Sequence, residues 1–271
     1  GLIIMGTADY KLQLLEQTYN LFQGQPASIA GSLVSAQIYD IDDFTDIDVF
    51  FDSSQALHYG LAHAVSQGYT IAKQSKRKLG FTHRWGGKGF HVETYRLDGP
   101  DGNELNISKK LLGGQPVRTL TGVLHSFDFG FLLAGYDCLM PTFEDAWLDL
   151  RPAYFPKQMA AGEALPMIPD KGRAWVAGEF GQNNAIRQAH RAAKYGLRGY
   201  DLTAIAPQLV TGYRIAAEDQ LERDTDPAKD LAEAYLAIAD LLEFHSWDLL
   251  MDSCNQLGLN KPIEHIKAVF D

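Results

Sequence analysis

A chain of 271 residues with 46% hydrophobic content can bury one large core or two ordinary ones, and no run of about 18 apolar residues offers a transmembrane helix. Its formal charge of −10 argues against a general polyanion binder. The two cysteines, Cys138 and Cys254, stand far apart without neighbours at metal-ligand spacing, which excludes a disulfide framework or zinc site and makes them buried free thiols.

The opening GLIIMGTADY lacks the basic lead of a signal peptide, so a cytoplasmic protein is expected. From Asp9 to Phe22, Leu12, Leu15, Tyr19 and Phe22 recur at helical spacing and predict an amphipathic helix. QGQPAS is a loop, SIAGS a short strand ending in a glycine turn, and Leu33 to Tyr39 follows as helix or coil. DIDVFFD is a buried strand, and the serines after it cap a helix through ALHYGLAHAVSQ. GYTIAKQ, GFHVETYRLDGPDGNELNISKK and LLGGQP give two or three strands joined by a DGPDGN turn. PVRTLTGVLH reads as a short helix with Pro116 at its start, and SFDFGFLLAG as a further strand. After about residue 150 the character changes. RPAYFPKQMAAGEALPMIPDKGRAW carries four prolines and reads as a connector. Beyond it, NNAIRQAHRAAKYGLRGY, DPAKDLAEAYLAIADLLEFH, SWDLLMDSCNQL and KPIEHIKAVF read as helices.

Residues 30 to 51, AGSLVSAQIYDIDDFTDIDVFF, hold five aspartates beside an apolar run. In a strand, residues two apart share a face, so Asp46 and Asp48 present two carboxylates together while Ile47 and Val49 face the core. Such a pair repels unless it shares a proton or holds a cation. Mg²⁺ takes one or two carboxylates together with substrate phosphates. Upstream, Gly31 and Ser32 form a turn that lets the backbone approach a phosphate, with amides at a following helix start and a serine hydroxyl available to it.

Ala30-Gly31-Ser32, thirteen intervening residues, then Asp46-Ile47-Asp48-Val49: with these elements the chain resembles the nucleotidyltransferase superfamily of the DNA polymerase beta type. The spacing selects Asp46 and Asp48 over Asp40 and Asp42, which lie too close to the turn. The resemblance implies a mixed α/β sheet with flanking helices over residues 1–150, a connector at 151–174 and a mostly helical domain at 175–271. It implies transfer of an NMP from an NTP such as ATP to an acceptor hydroxyl, with Mg²⁺ or Mn²⁺ on Asp46 and Asp48. A third carboxylate on a neighbouring strand is implied as well. Candidates are Glu93, Glu104 and Asp128, and Asp128, set between two phenylalanines, is preferred as metal ligand or general base. The stretch from ELNIS to VLHSFDFGFLLAG is similar to poorly characterised phage and viral members of the superfamily.

Two basic stretches fit the same scheme. Lys73, Lys76, Arg77, Lys78, Arg84, Lys88 and Arg96 crowd one segment, and Lys76, Lys78 and Arg84 would neutralise a triphosphate. Arg187, Arg191, Lys194 and Arg198 share one helical face, with no acid between Glu179 and Asp201, and would grip the triphosphate or an acceptor phosphate. An RNA or tRNA end is the expected acceptor. A protein side chain, a small molecule, or a non-catalytic binding role are the alternatives. Other patterns carry less: Gly86, Gly87 and Gly89 lack the Walker lysine-serine end, and Asn106-Ile107-Ser108 is a glycosylation sequence irrelevant in a cytoplasm.

Overall fold

The computed structural model describes residues 7–42, 44, 46–79, 90–112, 115–165, 195, 198–201 and single positions between 204 and 243. Backbone proximity divides the chain into two units, Gly1–Leu79 with Gly89–Pro156, and Gly80–Lys88 with Lys157–Asp271. The first unit runs α1 (Thr7–Phe22), β1 (Ala27–Ala30), α2 (Ser32–Tyr39), β2 (Ile47–Phe51), α3 (Ser54–Ser66), β3 (Thr70–Leu79), β4 (Phe90–Asp98), β5 (Glu104–Leu112) and β6 (Gln115–Pro116). It continues with α4 (Thr119–His125), a 3-10 turn at Gly130–Leu132, β7 (Ala134–Asp137), α5 (Phe143–Ala146), β8 (Trp147–Asp149) and α6 (Arg151–Tyr154), and α7 (Pro156–Ala161) follows.

This is an α/β fold built on a mixed sheet of order β3-β4-β5-β2-β1-β7-β8, with β6 paired to β5. β1 and β2 are antiparallel and joined through α2, whereas β2 and β5 are parallel. A parallel pair needs a crossover connection, which α3 and the β3–β4 hairpin supply. On one face Ile29, Val49, Phe51, Leu97, Leu105 and Ile107 form a core with Leu15, Tyr19 and Phe22 of α1 and Leu57 of α3. The alternating burial of β2 turns Asp48 and Phe50 to the other face. Ser53 caps α3 as expected, accepting from the Ala56 amide at 3.0 Å. Arg151 holds Asp149 through two nitrogens, at 2.9 and 2.7 Å, and donates to the Tyr39 hydroxyl at 3.0 Å, tying α6 to the end of α2.

Two elements differ from the sequence reading. Pro116 does not open a helix; it pairs with Leu111 in β6, a peripheral position where its missing N–H costs no ladder bond, and α4 begins at Thr119. SFDFGFLLAG is not one strand. Its middle makes the 3-10 turn, closed by Leu132 N–H to Phe129 at 3.1 Å, with Phe129 and Phe131 stacked at 5.2 Å, and only its last two residues enter β7, of which Gly135, Tyr136 and Asp137 pair with β1. An unbroken apolar run carries no period that separates strand from buried turn. Cys138 is a buried free thiol, and burial pushes it up to about 12; Cys254 lies outside the described residues. Among the described residues no helix is long and apolar enough to cross a membrane. The expected helices of 175–271 fall largely outside the described residues.

Gly60 of α3 rides on the Phe51 ring, where a Cβ would come within 2.4 Å of Cζ. Phe51 is itself fully buried and edge-on to Phe22. Alanine is favoured over glycine in a helix by about 1 kcal/mol, but overpacking a rigid core costs about 1–3 kcal/mol. Gly60→Ala is therefore expected to lower the urea midpoint of the intact chain. A raised midpoint would show that the α3–β2 contact is looser than described.

Candidate functional site

The face of the sheet that carries Asp48 is also where β1 ends. Ala30 pairs with Asp48 across β1 and β2, and the next residue, Gly31, turns the chain into α2 with φ 101° and ψ −150°. That conformation belongs to glycine. The lack of a side chain is equally needed, since a Cβ on Gly31 would meet the Asp48 Oδ2 at 2.7 Å. Only the missing side chain leaves room for the carboxylate beside the turn. Ser32, buried, opens α2 beside this contact.

On the other side of β2 the parallel register sets Asp48 against Asn106 and Ile47 against Leu105. Glu104 and Asn106 therefore share the face of Asp46 and Asp48. Asn106 Nδ2 donates to Asp46 Oδ2 at 3.0 Å. Arg96, opposite Asn106 on β4, pairs with Glu104. Glu104, as the ionised partner, accepts a proton-bearing bond from Asp46 and pairs with Arg96, which holds its carboxyl below the usual range, and Arg96 is raised by its bond to Glu104. The structure so brings together Gly31, Ser32, Asp46 and Asp48, and adds Glu104, Asn106 and Arg96.

The candidates for a third carboxylate separate by strand parity. Glu93 is three residues from Arg96 and faces the opposite side. There it is buried and accepts from His58 at 2.7 Å, Tyr95 at 3.0 Å and Ser54 at 3.5 Å. Asp128 is buried in the loop after α4, and its Oδ1 accepts from the Phe129 amide at 3.0 Å. Its neighbour Phe127 packs on Phe50, at 5.9 Å between ring centres, so this loop lies along the carboxylate face two residues beyond Asp48. Glu104 is the acid that reaches Asp46 directly.

The upstream pair Asp40 and Asp42 has a different destination. Lys11 of α1 is fully buried, donates to the Ala36 carbonyl at 3.4 Å, and lies 4.0 and 3.9 Å from Asp40 and Asp42. These aspartates secure the end of α2, where a cation is favoured. Lys76 and Lys78 sit on β3, level with Glu93 and His91 of β4. β3 is three strand spacings, about 14 Å, from β2, so the sheet itself does not bring them to Asp46. Arg84, Arg187, Arg191 and Lys194 lie outside the described residues. Arg198 is described with its guanidinium 5.7 Å from the Tyr195 ring centre.

Asn106 and Arg96 are the site residues that sequence reasoning missed, one taken for an inert glycosylation triplet and the other for part of a basic segment. The alternation Glu104, Asn106, Ser108 was visible, but its meaning depends on β5 pairing in parallel with β2. The oxygen donors Asp46 and Asp48, with a side-chain-free turn beside them, fit a Mg²⁺ that completes its shell with water and phosphate. Among the described residues, no three His, Cys, Asp or Glu side chains form a ready-made metal cage. No protein-family model matches the chain, and no curated protein matches it.

The Glu104 pairing has a pH signature. Because its folded pKa is lowered, its contribution is complete above the unfolded value of about 4.3 and disappears as pH falls through the folded value. The difference in urea midpoint between the wild type and Glu104→Gln is expected to shrink as pH drops below about 4.3. A difference independent of pH would mean that Glu104 is not held by Asp46 and Arg96.

Proposed function

We propose that the chain is a metal-dependent nucleotidyltransferase moving an NMP from an NTP to an acceptor hydroxyl. The observation that carries this reading is the contact of Gly31 with Asp48, with Asp46 two residues away on the same face. A side-chain-free turn at a helix start and an oxygen-donor pair meet at one point, as a nucleoside triphosphate with its cation requires. Asp46 and Asp48 would hold Mg²⁺ or Mn²⁺. Bound there, the cation neutralises triphosphate charge and acidifies the attacking hydroxyl.

The remaining roles belong to the chain. The Gly31–Ser32 turn and the start of α2 seat the triphosphate. Asn106 fixes Asp46 through its amide. The acceptor oxygen bonds to the α-phosphorus, the α–β bridging P–O bond breaks, and pyrophosphate leaves. The hydroxyl proton passes to a neighbouring carboxylate. Glu104 joins Asp128 as a candidate for that role, because it shares the face and contacts Asp46. The helical domain at 175–271, with Arg187, Arg191, Lys194 and Arg198 as phosphate ligands, and a cytoplasmic setting belong to the same reading.

Incubation with Mg²⁺ and each α-³²P-labelled NTP, in the presence of total RNA, cell protein or small-molecule extract, is expected to label one fraction. Asp46→Ala and Asp48→Ala should each reduce labelling by about 10²-fold or more. The larger loss between Glu104→Gln and Asp128→Asn identifies the third acid. Intact NTP binding with no transfer to any fraction would replace catalysis with nucleotide binding, and absence of NTP binding would remove the reading altogether.

A further inference from the structure

Lys11 of α1 is among the largest side chains that the structure buries completely. Lysine is almost never fully buried without a partner, and its long stem ordinarily carries the ammonium out to water. Here the ammonium donates to the Ala36 carbonyl at 3.4 Å and lies 4.0 and 3.9 Å from the carboxylates of Asp40 and Asp42, both of them exposed. Contacts of that length to exposed acids contribute little, and taking an ammonium out of water is costly. A methionine would fill the same space without that cost. Stability alone does not account for a charge at this position.

What the charge does hold is the path of the chain from α2 into β2. The Ala36 carbonyl accepts from three donors, the amides of Asp40 and Ile41 and the Lys11 ammonium. Asp40 closes α2 in the left-handed conformation at φ 55°, which aspartate tolerates better than most residues. Asp46 follows Asp42 by four residues, a length of chain that spans at most about 14 Å. Phe44, between them, packs against the core. Tyr10 and Leu14, beside Lys11 on α1, border the same pocket as Phe44 and Asp46. The approach to β2 is therefore fixed by Lys11 at one end and by the Asn106–Asp46 bond at the other.

We infer that Lys11 is a positioning residue for Asp46, and through Asp46 for the cation that Asp46 and Asp48 would hold. It acts by way of Asp40 and Asp42, whose charges draw the start of this approach onto α1. The Asp46 carboxylate then stays within reach of Asn106, on the face of Asp48. The consequence for the cation rests on the nucleotidyltransferase reading, whereas the seating of Asp46 does not.

The Asn106 side-chain amide reports that seating directly, because it donates to Asp46. Its resonance in the ¹⁵N-labelled full chain is assigned with Asn106→Ser and followed with neither metal nor nucleotide present. In Lys11→Met the amide is expected to move to the position of a solvent-exposed asparagine. The urea midpoint should stay at or above the wild-type value, since an apolar side chain replaces a buried charge. Asp40→Asn combined with Asp42→Asn, both exposed, should move the amide in the same way, and adding Lys11→Met to them should change nothing more. In a second arm Mn²⁺ is titrated with each α,β-methylene NTP and the bound metal is counted by electron paramagnetic resonance. Its affinity should fall about tenfold in the same variants, as it does on loss of a supporting contact. An Asn106 amide that stays in place in Lys11→Met, whatever the urea midpoint, would assign Lys11 to stability alone and overturn the inference. If Lys11→Met fails to fold, the aspartate pair decides by the same signal. Absence of Mn²⁺–NTP binding in the wild type would count against the nucleotidyltransferase reading, and the Asn106 signal would still decide the role of Lys11.

Discussion

The contact between Gly31 and the Asp48 carboxylate sets the geometry of everything around it. With φ at 101° the chain can leave β1 and enter α2 within one residue, and with no Cβ it can do so against a charged oxygen. Any side chain at position 31 would push the turn off the strand or rotate the carboxylate away. The β1–β2 pairing fixes Asp48 from one side and the parallel β2–β5 pairing fixes it from the other. Asp48 is thus placed by two strands and a backbone, and the precision of the site is that of the sheet.

The same sheet keeps two sets of acids apart. Alternation sends Asp46, Asp48 and Glu104 to one face and Glu93 to the other, where it is buried against α3 and satisfied by His58, Tyr95 and Ser54. Lys109, opposite Glu93 on β5, donates to Ser54 at 3.3 Å and adds positive charge there. A buried carboxylate without partners is costly, and each of these has a recognisable partner set. The Glu93 cluster joins α3 to β4 and β5, which matters because α3 is part of the crossover that makes β2 and β5 parallel. The two faces are therefore linked through topology.

Much of this was legible beforehand. The periodicity of α1, the DIDVFF strand, the Ser53 cap and the β4–β5 turn all follow from local pattern, and the association of Gly31–Ser32 with Asp46–Asp48 is what the family resemblance implies. What was not legible is non-local. Nothing in ELNIS says that its strand lies beside β2 in parallel, so the roles of Glu104 and Asn106 depend on a pairing formed across more than fifty residues. Asp128 was preferred because it was read inside an apolar strand, and the 3-10 turn removes that premise while leaving Asp128 near the site. Lys11 is a further case. Its position on α1 is that of an ordinary helix lysine, and only the packing of α1 on α2 shows that it answers Asp40 and Asp42.

That disposition of partners bears on how a cation would come to this site. Asp46 already accepts from Asn106 and donates a proton-bearing bond to Glu104, and Glu104 is held by Arg96. Binding at Asp46 would exchange these contacts for metal–oxygen bonds instead of filling a bare charge pair. The net gain from the protein alone is then small, since Mg²⁺ must also shed water that it holds strongly. Phosphate oxygens delivered at the Gly31–Ser32 turn change the balance, because they bring both ligands and negative charge to the same point. On the nucleotidyltransferase reading, metal and nucleotide should therefore bind as one unit, each raising the affinity for the other, with the reciprocity that linkage demands. On the same reading, the neutral and cationic neighbours of the carboxylates would hold them in place until the substrate arrives.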